Sequence, residues 1–400
     1  MADKKRPLEG LRVVEMGAFI AGPFCGQLLA DFGAEVIKIE PPGKGDPMRQ
    51  WGRHRHNGKS LWWPVLARNK KSVTLNLKSE KGRQMAKELI DSADFLLENF
   101  RAGMLEKWGM DYETLKATNP GLIMIRVSGY GQTGPYKDKP GFGSIGEAMG
   151  GIRYITGYPD RPPTRIGISI GDSLTSVFGA IGGLVALHER SKTGKGQVVD
   201  ISIYEAVLSL MESLIPEYQF AGEIRERTGS ILPNVAPSNI YPSSTGSFFL
   251  IAANADNIFG RLCKAMERPE LAEDPRYATH NARGERQEEL DELIAQWTVK
   301  FTTDELQKMM DEHGVPAGLI YTPREMLADP HFKARNTIIE VADKAMGNIK
   351  MQNVFPYLSE TPGGVAWTGP ELGEHNRQVY GDILNIDAAQ LEELQSGGVI

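Results

Sequence analysis

The sequence predicts an α/β protein: a doubly wound parallel sheet with a smaller α+β domain set into the chain. Three observations predict it. Short apolar runs alternate with helical spacings through the first half, two strands flank one helix within thirty residues, and the texture changes near residue 220. Parallel neighbours cannot be joined by a tight turn, so this alternation requires crossover helices on the faces of the sheet.

Taken in order, residues 11–16 read as the first strand, 17–23 as a turn, 24–32 as a helix ending at Gly33, and 34–39 as the second strand. Pro23 suits a helix start, where its missing N–H would be unpaired in any case. The turn Gly17-Ala-Phe-Ile-Ala-Gly-Pro23 lacks the G-x-G-x-x-G spacing, which sets aside a dinucleotide loop. Residues 72–77 form a strand, 79–92 an amphipathic helix, and 95–100 and 122–127 two more strands, the last closing on the glycine-rich turn 128–135. In such sheets ligands lie at the carboxyl ends of strands, where Asn99-Phe100, Gly129-Tyr130 and Asp172 all fall.

Residues 161–171 run from a turn through a short alternating, β-like segment into Gly171-Asp172. Residues 173–189 follow as a helix apolar on most faces, which predicts burial. Its Gly179, Gly182 and Gly183 predict close approach of another backbone. A strand at 197–202 and a second buried helix at 203–215 complete this half. The large domain takes 1–224 and resumes at 326–400. The smaller domain takes 225–325, with a hairpin within 240–252 and amphipathic helices at 287–298 and 304–312.

The 400 residues carry a net charge of −6 with Lys and Arg scattered, so nucleic acid is not an implied partner. Local basic groups such as Arg68-Asn-Lys-Lys71 could still hold a small polyanion. Cys25 and Cys263 stand far apart, and the seven His show no HxxxH or HExxH pairing, which gives no support to a disulfide framework or a metal site. No signal peptide and no apolar run of membrane-spanning length are read, so a cytoplasmic setting without a membrane partner is expected. Locally, Asp172 has two readings. It is an N-cap, or it is a nucleophile held at a helix start with Gly171 leaving room for an acyl group.

The ordered set Gly17 to Pro23, Gly33-Ala-x-Val-Ile-Lys-Ile-Glu-Pro-Pro42, Asn69-Lys-Lys-Ser72, Glu98-Asn-Phe-Arg101, Ser128-Gly-Tyr-Gly-Gln-Thr-Gly-Pro135, Gly171-Asp172 and Lys192-Thr-Gly-Lys-Gly-Gln197 resembles the class III coenzyme A transferases. These include formyl-CoA transferase and carnitine CoA-transferase. The resemblance implies a homodimer of interlocked rings, each chain with a Rossmann-like large domain and a small domain, an active site between domains, and a catalytic aspartate at Asp172. It implies transfer of CoA from an acyl-CoA to a free carboxylic acid through an aspartyl-CoA thioester, with the CoA thioester as co-substrate and no permanently bound cofactor or metal.

By position in the motifs, the resemblance carries CoA binding to Leu75, Asn99, Phe100 and Lys107, the last at a place often held by arginine. Lys71 is a phosphate contact by charge and location. Phe142 and Glu147 belong to a helix start expected to face the site, with Gly143 where relatives often have an acidic residue. Ala252-Ala-Asn-Ala-Asp-Asn257 lacks the glycine run that covers the site in formyl-CoA transferases. Arg153 and Arg165 flank the Asp172 segment, and a guanidinium there would hold the far carboxylate of a diacid. Succinyl-CoA or a similar short diacid thioester is therefore the expected donor. An α-methylacyl-CoA racemase of the same fold would place a His-Asp acid/base pair where this chain has Phe142-Gly143. A non-catalytic CoA-binding subunit of a hetero-oligomer is the other alternative, and the presence of Asp172 argues against it.

Overall fold

Six strands make the main sheet: β1 (Arg12–Met16), β2 (Glu35–Glu40), β3 (Lys70–Thr74), β4 (Phe95–Glu98), β5 (Ile123–Ser128) and β6 (Val198–Ser202). In the computed structural model, which describes residues 6–400, they lie in the order β3-β2-β1-β4-β5-β6, with every neighbouring pair parallel. The order reverses between β1 and β4. Crossovers on the two sides of that point leave in opposite directions, opening a crevice at the strands' carboxyl ends.

Successive strand residues point to opposite faces. Val14, Met16, Ile37 and Leu96 therefore join one apolar cluster, with α2 (Glu80–Asp91) and the C-terminal helices over it. Val13, Val36, Phe95 and Leu97 join another, with α1 (Ala21–Asp31) over it. Burial on both sides is why the strands read as near-continuous apolar runs. The exceptions are charged residues inside strands: Glu40 and Glu98 close β2 and β4, while Arg12, Glu35 and Lys70 open β1, β2 and β3.

The boundaries differ from expectation in instructive places. α1 begins at Ala21, with Pro23 inside its first turn. β3 begins at Lys70, and its two lysines find carboxylates on β1 (Glu15) and β2 (Glu35). The expected β-like segment before Asp172 is no strand. The long helix α5 (Ile170–Thr193), preceded by α3 (Met104–Lys107) and α4 (Gly143–Met149), starts early enough to take Asp172 into its first turn, and Ser169 occupies the N-cap. Asp172 is therefore not the cap.

Gly179, Gly182 and Gly183 of α5 meet side chains rather than a backbone. A methyl on Gly179 would face Cys25 Sγ, on Gly182 Val199, and on Gly183 Ile125. The helix is also less buried than expected, since Val177, Ile181, Leu184 and Val185 are exposed along it. By length and composition alone it could cross a membrane, contrary to the sequence reading, yet here it lies against α1 and the sheet. The helix expected over 203–215 divides into α6 (Ile203–Leu208) and α7 (Leu214–Ala221), with Leu208, Leu210 and Ile215 exposed.

These elements, with Lys333–Ile400, form one compact unit; the tail joins it where Tyr380 donates to the Thr74 carbonyl at 2.7 Å. A second unit comprises Tyr154–Arg165 and Gly222–Phe332. Its antiparallel sheet joins β7 (Ser238–Pro242), β8 (Phe248–Ala252) and β9 (Ala317–Leu319), with β8 in the middle, and its helices include Gln287–Thr298 and Thr303–His313. At its centre the fully buried Arg283 donates to the carbonyls of Ala236, Asn254 and Tyr277 and pairs with Asp256. That arginine pins the non-glycine segment after β8.

Candidate active site

A cleft of about 370 Å³ opens at the switch point of the sheet. Its lining comes from the loops after β1 (Ala18, Phe19), β4 (Asn99 to Ala102) and β5 (Ser128, Gly129, then Lys137 to Phe142), and from Asp172 at the start of α5.

The first wall is fixed by Asn99. Its Oδ1 accepts the Ala18 N–H at 2.9 Å and its Nδ2 donates to the Ala18 carbonyl at 2.8 Å, so the side-chain amide pairs with one backbone residue as a strand neighbour would. Gly17 must be glycine for this clasp, since a Cβ there would come within 2.3 Å of Oδ1. Phe19 follows with φ 66°, a left-handed conformation that costs a bulky residue roughly 1–3 kcal/mol. It persists because Asp46 Oδ1 accepts the Phe19 N–H at 3.1 Å.

Asp46 belongs to a buried charge network. Lys38 pairs with Asp46 at 2.8 Å and with Glu15 at 2.9 Å, and donates to the Gly17 carbonyl; Lys70 pairs with Glu15 at 2.7 Å and donates to the Pro23 carbonyl. Burial alone would depress the Lys38 ammonium, but Asp46 and Glu15 outweigh it and push its pKa up. Burial likewise opposes ionisation of Asp46, while Lys38 and two backbone N–H groups bring its pKa below the usual carboxylate range. Both ends of the β1–α1 loop are thus held by charges beneath it.

The second wall brings Asp172. Ser176, one turn on, donates to the Ala21 carbonyl at 2.6 Å and to the Asp172 carbonyl at 2.8 Å, fastening the start of α5 to α1. Gly143 lies directly against the carboxylate: a Cβ there would stand 2.5 Å from Oδ2 and 2.9 Å from Oδ1. The positive end of the 24-residue helix favours a negative charge in its first turn. On the far side, buried Glu147 accepts from Arg153 at 2.7 Å and more weakly, at 3.5 Å, from the Gly171 N–H.

Of the residues singled out in the sequence, the cleft brings together Asn99, Phe100, Phe142 and Asp172. Leu75 lies in the apolar core, Lys107 on an exposed surface of α3, and Lys71 at 2.7 Å from Glu35 on β2. The whole basic run is consumed this way, with Arg68 and Asn69 both donating to Asp31. The partners are carboxylates remote in sequence. Glu147 and Arg153 pair with each other outside the cleft lining, and Arg165 is exposed in the second unit.

The sequence reading missed Arg101, Lys137 and Lys139, the cations that do line the cleft. Arg101 donates to the Asp138 carbonyl, and Lys139 Nζ lies 3.6 Å over the Tyr136 ring. The signal for Arg101 was its place just after the end of β4; Lys137 and Lys139 lie farther on, past the glycine-rich turn after β5. The backbone N–H groups of Ala18 and Phe19 are already engaged, so neither is free to stabilise an oxyanion.

The profile of CoA-transferase family III matches residues 8–376. The chain belongs to this family. The CoA-transferase is 69% identical over 395 residues to the succinyl-CoA–D-citramalate CoA-transferase of Chloroflexus aurantiacus, covering 99% of this chain and 98% of that one. It is 41% identical over 397 residues to the C. aurantiacus succinyl-CoA–L-malate CoA-transferase alpha subunit, covering 98% and 92%. Among solved structures, a CAIB/BAIF family protein from Brucella suis superposes with a TM-score of 0.84 at 35% identity, covering 95% of this chain and 100% of that one. At the two positions where the racemase alternative needs an acid/base pair, this CoA-transferase has Phe142 and Gly143.

Proposed function

We propose that this CoA-transferase moves coenzyme A from succinyl-CoA, or another short diacid thioester, to a second carboxylic acid, with Asp172 as the nucleophile. One observation carries the proposal: the Asp172 carboxylate lines the cleft at the start of a long helix, with a glycine against it. A carboxylate is ionised at neutral pH and needs no general base. Asp172 attacks the thioester carbonyl; the C–S bond breaks, leaving an aspartyl mixed anhydride and CoA thiolate. The thiolate attacks the aspartyl carbonyl, forming an aspartyl-CoA thioester and releasing the donor carboxylate. The acceptor carboxylate then attacks that thioester, and the returning thiolate takes its acyl group and restores Asp172. One thioester is consumed and one formed, so no ATP is required.

In this reading Asn99 and Phe100 shape the CoA side of the cleft. Phosphate contacts fall to Arg101, Lys137 and Lys139 rather than to Lys71. The diacid donor is supported by the relatives' names, since succinate, citramalate and malate are all dicarboxylic acids. Arg153 remains the proposed partner of the far carboxylate, which would have to draw it from Glu147, its partner outside the cleft lining. A homodimer is supported by the exposed apolar side chains of α5. A cytoplasmic setting is supported by Cys25 and Cys263, both free and buried.

The test offers succinyl-CoA with a panel of free mono- and dicarboxylic acids and reads new thioesters by mass spectrometry. The expected result is transfer to dicarboxylates, its loss in Asp172→Asn, and inactivation by hydroxylamine only when acyl-CoA is present. Transfer by Asp172→Asn at the parent rate would end the mechanism.

A further inference from the structure

We infer that Glu98 and Arg126 are positioning residues for the CoA side of the cleft, stapling the 99–107 segment at both ends. This rests on the reading that the cleft receives an acyl-CoA. Glu98 closes β4 and Arg126 is its register partner on β5. Glu98 is 1% exposed and Arg126 6%. Glu98 Oε1 accepts from Arg126 Nε at 2.8 Å, while Oε2 accepts the N–H of Phe100 at 2.8 Å. The other end of Arg126 forks onto Glu106 of α3, Nη1 to Oε1 at 2.6 Å and Nη2 to Oε2 at 3.3 Å. One guanidinium thus links the strand end, the first residues of the loop and the helix that closes it. Between those anchors lie Asn99, Phe100, Arg101 and Ala102, the part of the loop that lines the cleft.

The energetics point the same way. A buried ion pair gains little over a well-packed apolar pair, because desolvating two charges offsets their attraction. What charge adds here is direction: Glu98 Oε2 fixes where the Phe100 amide lies, and the planar fork of Arg126 fixes the angle of α3. Phe100 is further braced edge-on against Trp108, with ring centroids 5.2 Å apart. Asp172 stands on a different element, α5, so loosening this loop weakens CoA binding without moving the nucleophile.

The test uses Glu98→Ala, Glu98→Gln and Glu106→Ala in the full chain, with KM for acyl-CoA, kcat, and hydrogen–deuterium exchange of residues 99–107. Losing charge-assisted hydrogen bonds in Glu98→Ala raises KM about tenfold and speeds exchange of the Phe100 amide, with kcat changing less than about threefold. Glu98→Gln keeps an acceptor for Phe100 and recovers part of the KM. Glu106 is half-exposed, so Glu106→Ala folds even where a Glu98 variant does not; it raises KM about threefold and speeds exchange at α3. Parent-like exchange in Glu106→Ala, or faster exchange with parent KM, overturns the inference. Failure of the unmodified chain to make any thioester overturns the transferase reading instead, and the exchange measurement still decides whether the staple orders the loop.

Discussion

Gly143 makes the alignment of Asp172 testable without touching Asp172. Replacing it by alanine puts a Cβ 2.5 Å from Oδ2 and 2.9 Å from Cγ and Oδ1. Carbon–oxygen contacts become comfortable at roughly 3.3 Å, so the carboxylate must retreat by about 0.8 Å. A misplacement near that size costs on the order of 10²-fold when a nucleophile must meet a bound carbonyl in line, or roughly 2–3 kcal/mol of barrier. Folding should be spared. The colliding group is the end of a side chain, and alanine is at least as good as glycine in a helical turn. The expected phenotype is a kcat lowered about 30- to 100-fold, an unchanged dissociation constant for CoA and an unshifted melting temperature. Thioester formation is followed by mass spectrometry, CoA binding by calorimetry and Tm by circular dichroism. A Gly143→Ala enzyme with the parent kcat would refute the argument, because the carboxylate would then tolerate displacement that the chemistry forbids.

Gly146→Ala supplies the contrast. Its Cβ would meet Ile203 at 2.4 Å and 2.7 Å in the side chain and 3.2 Å in the backbone, so it overpacks by about 1–3 kcal/mol and shows as a lower Tm in thermal melts. Lys71→Met, which breaks only the pair with Glu35, leaves KM for acyl-CoA within about twofold, whereas Lys139→Met raises it about tenfold in the same assay. Burial opposes ionisation of Glu40, but Arg49, Lys38 and Ser72 outweigh it and hold its carboxyl below the usual range. A carboxyl depressed on folding stabilises above its unfolded pKa and loses that contribution as pH falls through the folded one. Tm should therefore drop as pH goes from about 5 toward 3, and Glu40→Gln should flatten that drop. An equally steep drop in Glu40→Gln would assign the acid sensitivity to other groups.

The sheet could be read from the chain because its strands are buried on both faces: Val13 and Val14, or Leu96 and Leu97, serve opposite cores, and the resulting apolar runs need no partner to be recognised. The crevice followed from the same logic, since the loops after β1 and β4 carry the Gly17 turn and Asn99. Charged residues obey a different rule. Lys70, Lys71 and Arg68 look like one solvated cluster in the sequence, yet each answers a separate carboxylate 36 to 55 residues away, and nothing local encodes which. Arg101 and Lys139 look no different and face the cleft. Helix α5 fails in a third way. Val177, Ile181, Leu184 and Val185 are exposed, whereas composition predicts only that such side chains are covered. It does not record whether the covering surface belongs to this chain or to a second copy. The apolar stripe of α5 that lies exposed in one chain is what a second copy would cover in the proposed homodimer, and charged replacements at Val185 and Ile181 would separate assembly from folding.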